Sequence, residues 1–207
     1  MMIAVEGVDG VGKSTLSKGL VSSIGGRAKE IVYQDYMILG SAIKDMLKET
    51  PLNPVARTIF YAMNVKYTID NILVKDAFFD DVLYVMDRYV YSTIASHQAM
   101  SIYMKDMVSL KMINRMIYPF LIEFKAPDVT FLLTVKSEER LRRLTAREDN
   151  TAMDKLESKE IEQKLYKNIE KLLRGKGAKV YEIDTTYLSK EEVLEEAVSL
   201  LRNTNIL

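Results

Sequence analysis

The 207-residue chain has no cysteine, which excludes a disulfide framework, a thiolate metal site and a cysteine nucleophile. It has no excess of either charge: 29 Lys and Arg stand against 29 Asp and Glu. A nucleic-acid partner held by phosphate neutralisation needs a surplus of cations and is not expected. No apolar run approaches the roughly 18 residues of a membrane-spanning helix. The opening Met1-Met2-Ile3-Ala4-Val5-Glu6 has no basic segment and meets an acid at once, so a cytoplasmic protein with no membrane partner is expected. Histidine is nearly absent. His97 stands alone and reads as a helix-surface or pocket-rim residue rather than a general base. What is present, 48% hydrophobic and 28% charged residues, suffices for one buried core, and the expectation is a single domain over 1–207.

Short apolar runs alternate with longer amphipathic stretches, the pattern of strands joined by crossover helices in a parallel sheet. Strands are predicted at 2–6, about 28–33, 82–86, 129–135 and 179–183. Helices are predicted near 13–24, 38–48, 55–75, 90–117 with at least one break, 137–147, 157–174 and 189–202. Ser189 stands three residues before Glu192, a capping-box spacing. Pro51 and Pro54 punctuate the approach to the third helix, and Gly175 and Gly177 end the sixth.

Directly after the first strand comes Gly7-Val8-Asp9-Gly10-Val11-Gly12-Lys13-Ser14-Thr15, a phosphate-binding loop in its strand-loop-helix context. Glycines let successive backbone N–H groups turn toward one phosphate, and the following helix adds its positive N-terminus. Lys13 is a mobile cation for the β- and γ-phosphates of ATP, and Ser14 offers a hydroxyl to Mg²⁺. The D-x-x-G and N-K-x-D motifs of GTPases are absent downstream, as are the second lysine of partition ATPases and the L-S-G-G-Q of transporter ATPases. Small-molecule kinases remain.

Asp87-Arg88 follows the 82–86 strand. A carboxylate at that place can hold Mg²⁺ or its waters, and the adjoining guanidinium offers a fork to a second phosphate. Farther on, Arg140, Arg143 and Arg147 share one helical face. The polar segment beginning at Glu148 has the composition of a lid, placed at about 147–156.

Together these segments resemble the thymidylate kinase family, P-loop kinases that phosphorylate dTMP with ATP and Mg²⁺. The loop looks like F-E-G-x-D-G-x-G-K-[ST], Asp87-Arg88-Tyr89-Val90-Tyr91-Ser92 like D-R-Y-x-x-S, and Arg143 to Arg147 with Asp154 to Glu157 like R-x-x-x-R followed by D-R-x-E. The resemblance implies a five-stranded parallel sheet in the order 2-3-1-4-5, helices on both faces, and a homodimer. It implies that Asp9 contacts the acceptor 3′-hydroxyl, Arg88 holds the acceptor phosphate, and Asp87 organises Mg²⁺. Ser92 joins the acceptor site, Phe60 stacks on the base, and Arg143 lies against adenine. Gly10 stands where some members carry an arginine, so the catalytic cation is expected from the lid, from Arg147 with Lys155 as a second source. Asn64 replaces the arginine that usually reads thymine, Ser96 replaces an aromatic that excludes a 2′-hydroxyl, and Tyr33 to Tyr36 include no arginine. Another nucleoside monophosphate, a deoxynucleoside, or a nucleotide switch with no small acceptor therefore remain open alternatives to dTMP phosphorylation.

Overall fold

A strand covered on both faces must carry apolar side chains at consecutive positions, because no position faces water. In the computed structural model, which describes residues 1–32, 53–75, 82–146, 156–175 and 177–204, β1 (Met2–Glu6), β3 (Leu83–Asp87) and β4 (Val129–Thr134) are buried at every position. The remaining strands, β2 (Ala28–Val32) and β5 (Val180–Asp184), mix buried and exposed positions and form the edges. The sheet is parallel throughout, in the order β2-β3-β1-β4-β5, as the resemblance implies. Strands sit within a residue of their predicted ranges. One shift matters: Asp87 is the last residue of β3, not the residue after it.

Helices cover both faces. On one, α1 (Lys13–Ile24) lies against the sheet and packs on α7 (Lys190–Arg202). On the other, α2 (Pro54–Lys75), α4 (Met107–Glu123) and α6 (Leu156–Gly175) pack around α3 (Val90–Tyr103). The short α5 (Ser137–Thr145) follows β4. Ser189 and Glu192 close the expected capping box, with Glu192 N–H on Ser189 Oγ at 3.1 Å and Ser189 N–H on Glu192 Oε2 at 2.7 Å.

The 90–117 stretch breaks at Met104 to Asp106, where Lys105 turns left-handed at φ 56° and Asp106 Oδ1 accepts the N–H of Ser109 at 3.0 Å. The second half then runs to Glu123, past Pro119. Proline removes one helical hydrogen bond, and burial of Ile113, with Ile117 against the core, offsets that loss. The helix expected at 38–48 and all but the last residue of the lid expected at about 147–156 lie outside the described residues; Leu156 belongs to α6.

The loop after β1 is pressed onto β4. Gly7 has φ 138°, and a Cβ placed there would strike the carbonyl oxygen of Leu133 and meet Val11 Cγ2 at 3.0 Å. Either obstacle is reason enough for glycine. Replacing Gly7 with Ala should lower stability by about 2 kcal/mol or more through backbone overpacking; a urea midpoint unchanged from wild type would show that the loop gives way freely.

Candidate active site

Register sets the site. Val5 lies opposite Asp87 in the pairing of β1 with β3, so the loop leaving β1 and the turn leaving β3 emerge side by side at the carboxyl edge, where the strand order reverses and ligands of such sheets bind. Gly12, left-handed at φ 102°, delivers the chain into α1, whose first turn has no capping side chain and no acid. Its amides and dipole are available to an anion. A cavity of about 400 Å³ over this N-terminus is lined by Asp9, Gly10, Gly12, Lys13, Ser14, Thr15, Arg88 and Leu144. The predicted phosphate-loop residues and Arg88 are thus brought together.

The charged groups of this cavity are held by partners within the protein. Lys13 Nζ donates to the carbonyl of Val8 at 2.7 Å. Burial, helped by Arg88, lowers its pKa to about 7 against the pull of Asp9, Asp87 and Glu162. Ser14 Oγ donates to Asp87 Oδ2 at 2.5 Å, while Asp87 Oδ1 is buried with no partner among the described residues. Arg88, at φ 78° in a region that non-glycine residues rarely occupy, places Nη2 on Asp9 Oδ1. Lys159 of α6 reaches Asp9 Oδ2 at 3.0 Å. Partial burial would raise the Asp9 pKa, but Arg88, Lys159 and Lys13 together hold the carboxyl well below the usual carboxylate range.

A second, larger cleft of about 690 Å³ opens on the other side of the loop, lined by Gly10 to Gly12, Thr15, Leu16 and Arg143, and by residues 185–190. Arg143 is fixed there: Nε donates to Glu139 at 2.7 Å, Nη1 to Thr185 Oγ1 at 3.0 Å and Nη2 to the Thr185 carbonyl at 2.6 Å. Glu139 holds Arg142 as well, the helical pairing that an exposed charged face would show, yet Arg143 still borders the cleft. Arg140 does not join it. Its stem packs under Gly10, its side chain is 2% exposed, and Nη2 has no partner among the described residues. The arginines expected on one face therefore diverge, one to the cleft and one beneath the loop. Arg147 and Lys155 lie outside the described residues.

On the other flank, α2 and α3 carry the remaining predicted residues. Phe60 is half-buried and meets Tyr61 edge-on at 5.7 Å, Asn64 is buried one turn later, and Ser96 is half-buried on α3. His97 is neither at the surface nor on a rim: it is 5% exposed, bonded through Nδ1 to Thr58 Oγ1 at 3.0 Å, and joins α2 to α3. Burial, with Arg57 and Lys159 nearby, lowers its pKa to about 3, which keeps the ring neutral.

Sequence reasoning assigned no role to Glu6, although it quoted the residue in a motif. Glu6 is 1% exposed and caps α3 from a distance, Oε1 accepting Tyr89 N–H at 2.9 Å and Ser92 N–H at 3.1 Å, while Oε2 accepts the Ser92 hydroxyl. Tyr166 of α6 donates to Ser92 Oγ at 2.9 Å. Ser92, expected at the acceptor, thus spends its hydroxyl inside the protein. Burial raises the Glu6 pKa to about 7 against Ser92, Arg88 and the two amides. Lys159, Glu162 and Tyr166 also went unassigned, although they fall on one helical face with the core residues Ile169 and Leu173; charged residues in phase with a buried stripe were the available signal.

A parallel 2-3-1-4-5 sheet with a phosphate loop at its reversal and Arg88 beside that loop is the architecture of a P-loop nucleotide kinase. Comparison with known proteins carries the assignment further. The family model described as thymidylate kinase matches residues 5–197. The chain is 30% identical over 205 residues to a probable thymidylate kinase of Methanocaldococcus jannaschii, covering 98% of this chain and 96% of the relative. It is 26% identical to a thymidylate kinase of Mycoplasmopsis pulmonis, covering 98% and 88%. Among solved structures, thymidylate kinase from Candida albicans superposes with a TM-score of 0.75 at 21% identity, covering 99% of this chain and 92% of that one. Deoxyadenosine kinase from M. mycoides, with bound dCTP, gives 0.70 at 16%, covering 98% and 100%. The chain belongs to the thymidylate kinase family.

Two measurements follow from the buried charges. A carboxyl whose folded pKa lies above its unfolded value stabilises the fold below the unfolded pKa, and that contribution is lost as pH rises through the folded pKa. Wild type should therefore lose stability relative to Glu6→Gln between about pH 4.5 and 7. Parallel denaturation curves across that window would contradict the shift. Likewise Lys13, half-neutral near pH 7, should take up a proton when nucleotide phosphates arrive. Calorimetry of ATP binding at pH 7.5 should show an enthalpy that changes with the ionisation enthalpy of the buffer, an effect that Lys13→Met removes.

Proposed function

We propose that this protein transfers the γ-phosphate of ATP to dTMP, giving ADP and dTDP. The observation that carries the reading is the convergence of Lys13, Arg88 and Asp9 on one cavity over the N-terminus of α1, with Asp87 bonded to Ser14 of its lining. One phosphate bound by a loop and Lys13 has no need of an arginine held in a strained backbone conformation beside it; transfer between two phosphate groups does.

ATP is the donor on this reading. Its β- and γ-phosphates meet the loop amides and Lys13, and its base occupies the cleft beside Arg143. Mg²⁺ fits the donor set at Ser14 and Asp87, a hydroxyl and a carboxylate whose Oδ1 is buried with no partner among the described residues, because the ion keeps most of its waters and takes few protein ligands. When bound it would neutralise charge on the phosphates. Arg88 takes the acceptor phosphate, Asp9 faces the acceptor sugar, and Phe60 and Asn64 of α2 meet the base, with Ser96 nearby on α3. Phosphoryl transfer asks these groups for position and charge rather than for a base, consistent with the neutral, internally bonded His97. The lid at about 147–156 supplies Arg147 as the cation of closure, within a single domain over 1–207.

The reading extends to a cytoplasmic homodimer. No described helix is long and apolar enough to cross a membrane, and α2 exposes Ile59, Met63 and Tyr67 at successive turns of one face. An apolar stripe of that kind is what a second copy would cover.

The test is ADP formation from Mg-ATP against dTMP, dUMP, UMP, dCMP, AMP, dGMP and thymidine. Stimulation by dTMP above the others is expected, and no stimulation by any acceptor would overturn the reading in favour of a nucleotide switch. Preference for another acceptor would keep the fold and the mechanism and overturn the substrate. Arg88→Ala should lower kcat/KM for dTMP by about 10²-fold or more while leaving the ATP KM within a factor of about two; a variant that loses ATP affinity instead places Arg88 on the donor.

A further inference from the structure

We propose that Lys159, on the first turn of α6, is a positioning residue for the acceptor: it holds the Asp9 carboxylate and so frees Arg88 to take the acceptor phosphate. The assignment rests on the acceptor site proposed above.

Asp9 carries two cations at once, Arg88 on Oδ1 and Lys159 on Oδ2 at 3.0 Å. Its side chain is 43% exposed and lines the phosphate cavity, whereas that of Lys159 is 15% exposed and is anchored from behind by Glu162 Oε2 at 2.7 Å. Glu162 is itself buried. Lys159 is thus a fixed, charged post: desolvation disfavours its ammonium, but Glu162 and Asp9 outweigh that and raise its pKa. It is not required to hold α6 in place, because Tyr166 already ties that helix to Ser92 Oγ at 2.9 Å and to the carbonyl of Gly7 at 3.4 Å. What Lys159 adds is a bond to a side chain that borders the ligand space.

The consequence concerns exchange. Arg88 bound to Asp9 must give up at least part of that pairing when a phosphate arrives, and leaving a carboxylate with no counter-charge beside an incoming dianion is costly. With Lys159 in place, Asp9 keeps a cation and a charged hydrogen bond, shared with Glu162, after Arg88 turns to the phosphate, and stays ionised as an acceptor for the sugar hydroxyl. Without it, Arg88 is the main neighbour of Asp9, and the two hold each other against the ligand.

The experiment measures dTMP and ATP binding by calorimetry and, separately, their KM values, in wild type, Lys159→Gln, Lys159→Arg, Asp9→Asn and the Asp9→Asn/Lys159→Gln pair. Lys159→Gln should weaken dTMP binding about tenfold, the size of one lost charged hydrogen bond, and leave ATP within about twofold. Lys159→Arg should recover most of the loss, and Asp9→Asn should cost much less in the Lys159→Gln background than in wild type. Unchanged dTMP binding in Lys159→Gln, equal loss for both nucleotides, or additive effects of the pair would each overturn the proposal, because a merely structural lysine would behave in those ways. If wild type binds dTMP but does not phosphorylate it, the kinase reading fails and Lys159 is still judged by binding. If wild type binds no acceptor, both fail.

Discussion

Val5 lies opposite Asp87 in the parallel ladder between β1 and β3, and the chemistry at the edge of the sheet depends on that alignment. It places the phosphate loop next to the Asp87-Arg88 turn, so that Ser14 reaches Asp87 and Arg88 reaches Asp9 across 73 and 79 residues of sequence. Slipping the register by one residue would turn each side chain of β3 to the opposite face and take Asp87 away from Ser14. Apolar contact on both faces would survive such a slip, so the buried polar ends of the strands specify the register: Glu6 meets the amides of Tyr89 and Ser92, and Asp87 meets Ser14.

The second constraint is charge balance. Arg88 and Lys159 pair with Asp9, Lys159 also with Glu162, and Lys13 lies within the field of Asp9, Asp87 and Glu162. Buried ions are tolerated only when paired, and the site meets that condition at Asp9, Arg88 and Lys159 while leaving Asp87 Oδ1 without a partner among the described residues. On the proposed function, phosphates would bind by exchange of partners rather than by filling an empty positive pocket. Lys13 shows the cost of the ligand-free arrangement, with a pKa drawn down to about 7. Glu6 shows a second strategy: its carboxyl serves as the cap of α3 and, through Ser92 and Tyr166, ties the loop to α6.

Legibility in the sequence followed how local each feature is. The phosphate loop and the cap at Ser189 occupy a few consecutive residues whose identities are dictated by backbone geometry, and both are where their spacing placed them. Strands with unbroken apolar runs were readable for the same reason. The sheet order came from the family resemblance, because nothing in any one strand names its neighbour. Contacts between distant segments were not legible. His97 looked like a lone polar residue because its partner Thr58 sits 39 residues away, and Arg140 looked like a companion of Arg143 because spacing cannot tell the underside of a loop from the wall of a cleft. Lys159 and Glu162 resemble an ordinary exposed pair at helical spacing until burial is known.

The most direct test of the account is the fate of the phosphoryl group itself. ATP labelled at the γ-phosphate is incubated with Mg²⁺, enzyme and dTMP, and the products are separated. The account predicts label in dTDP, at its terminal phosphate, and loss of that product in Arg88→Ala. Label released only as inorganic phosphate, or transferred to thymidine but not to dTMP, would contradict a site built for two nucleotide phosphates.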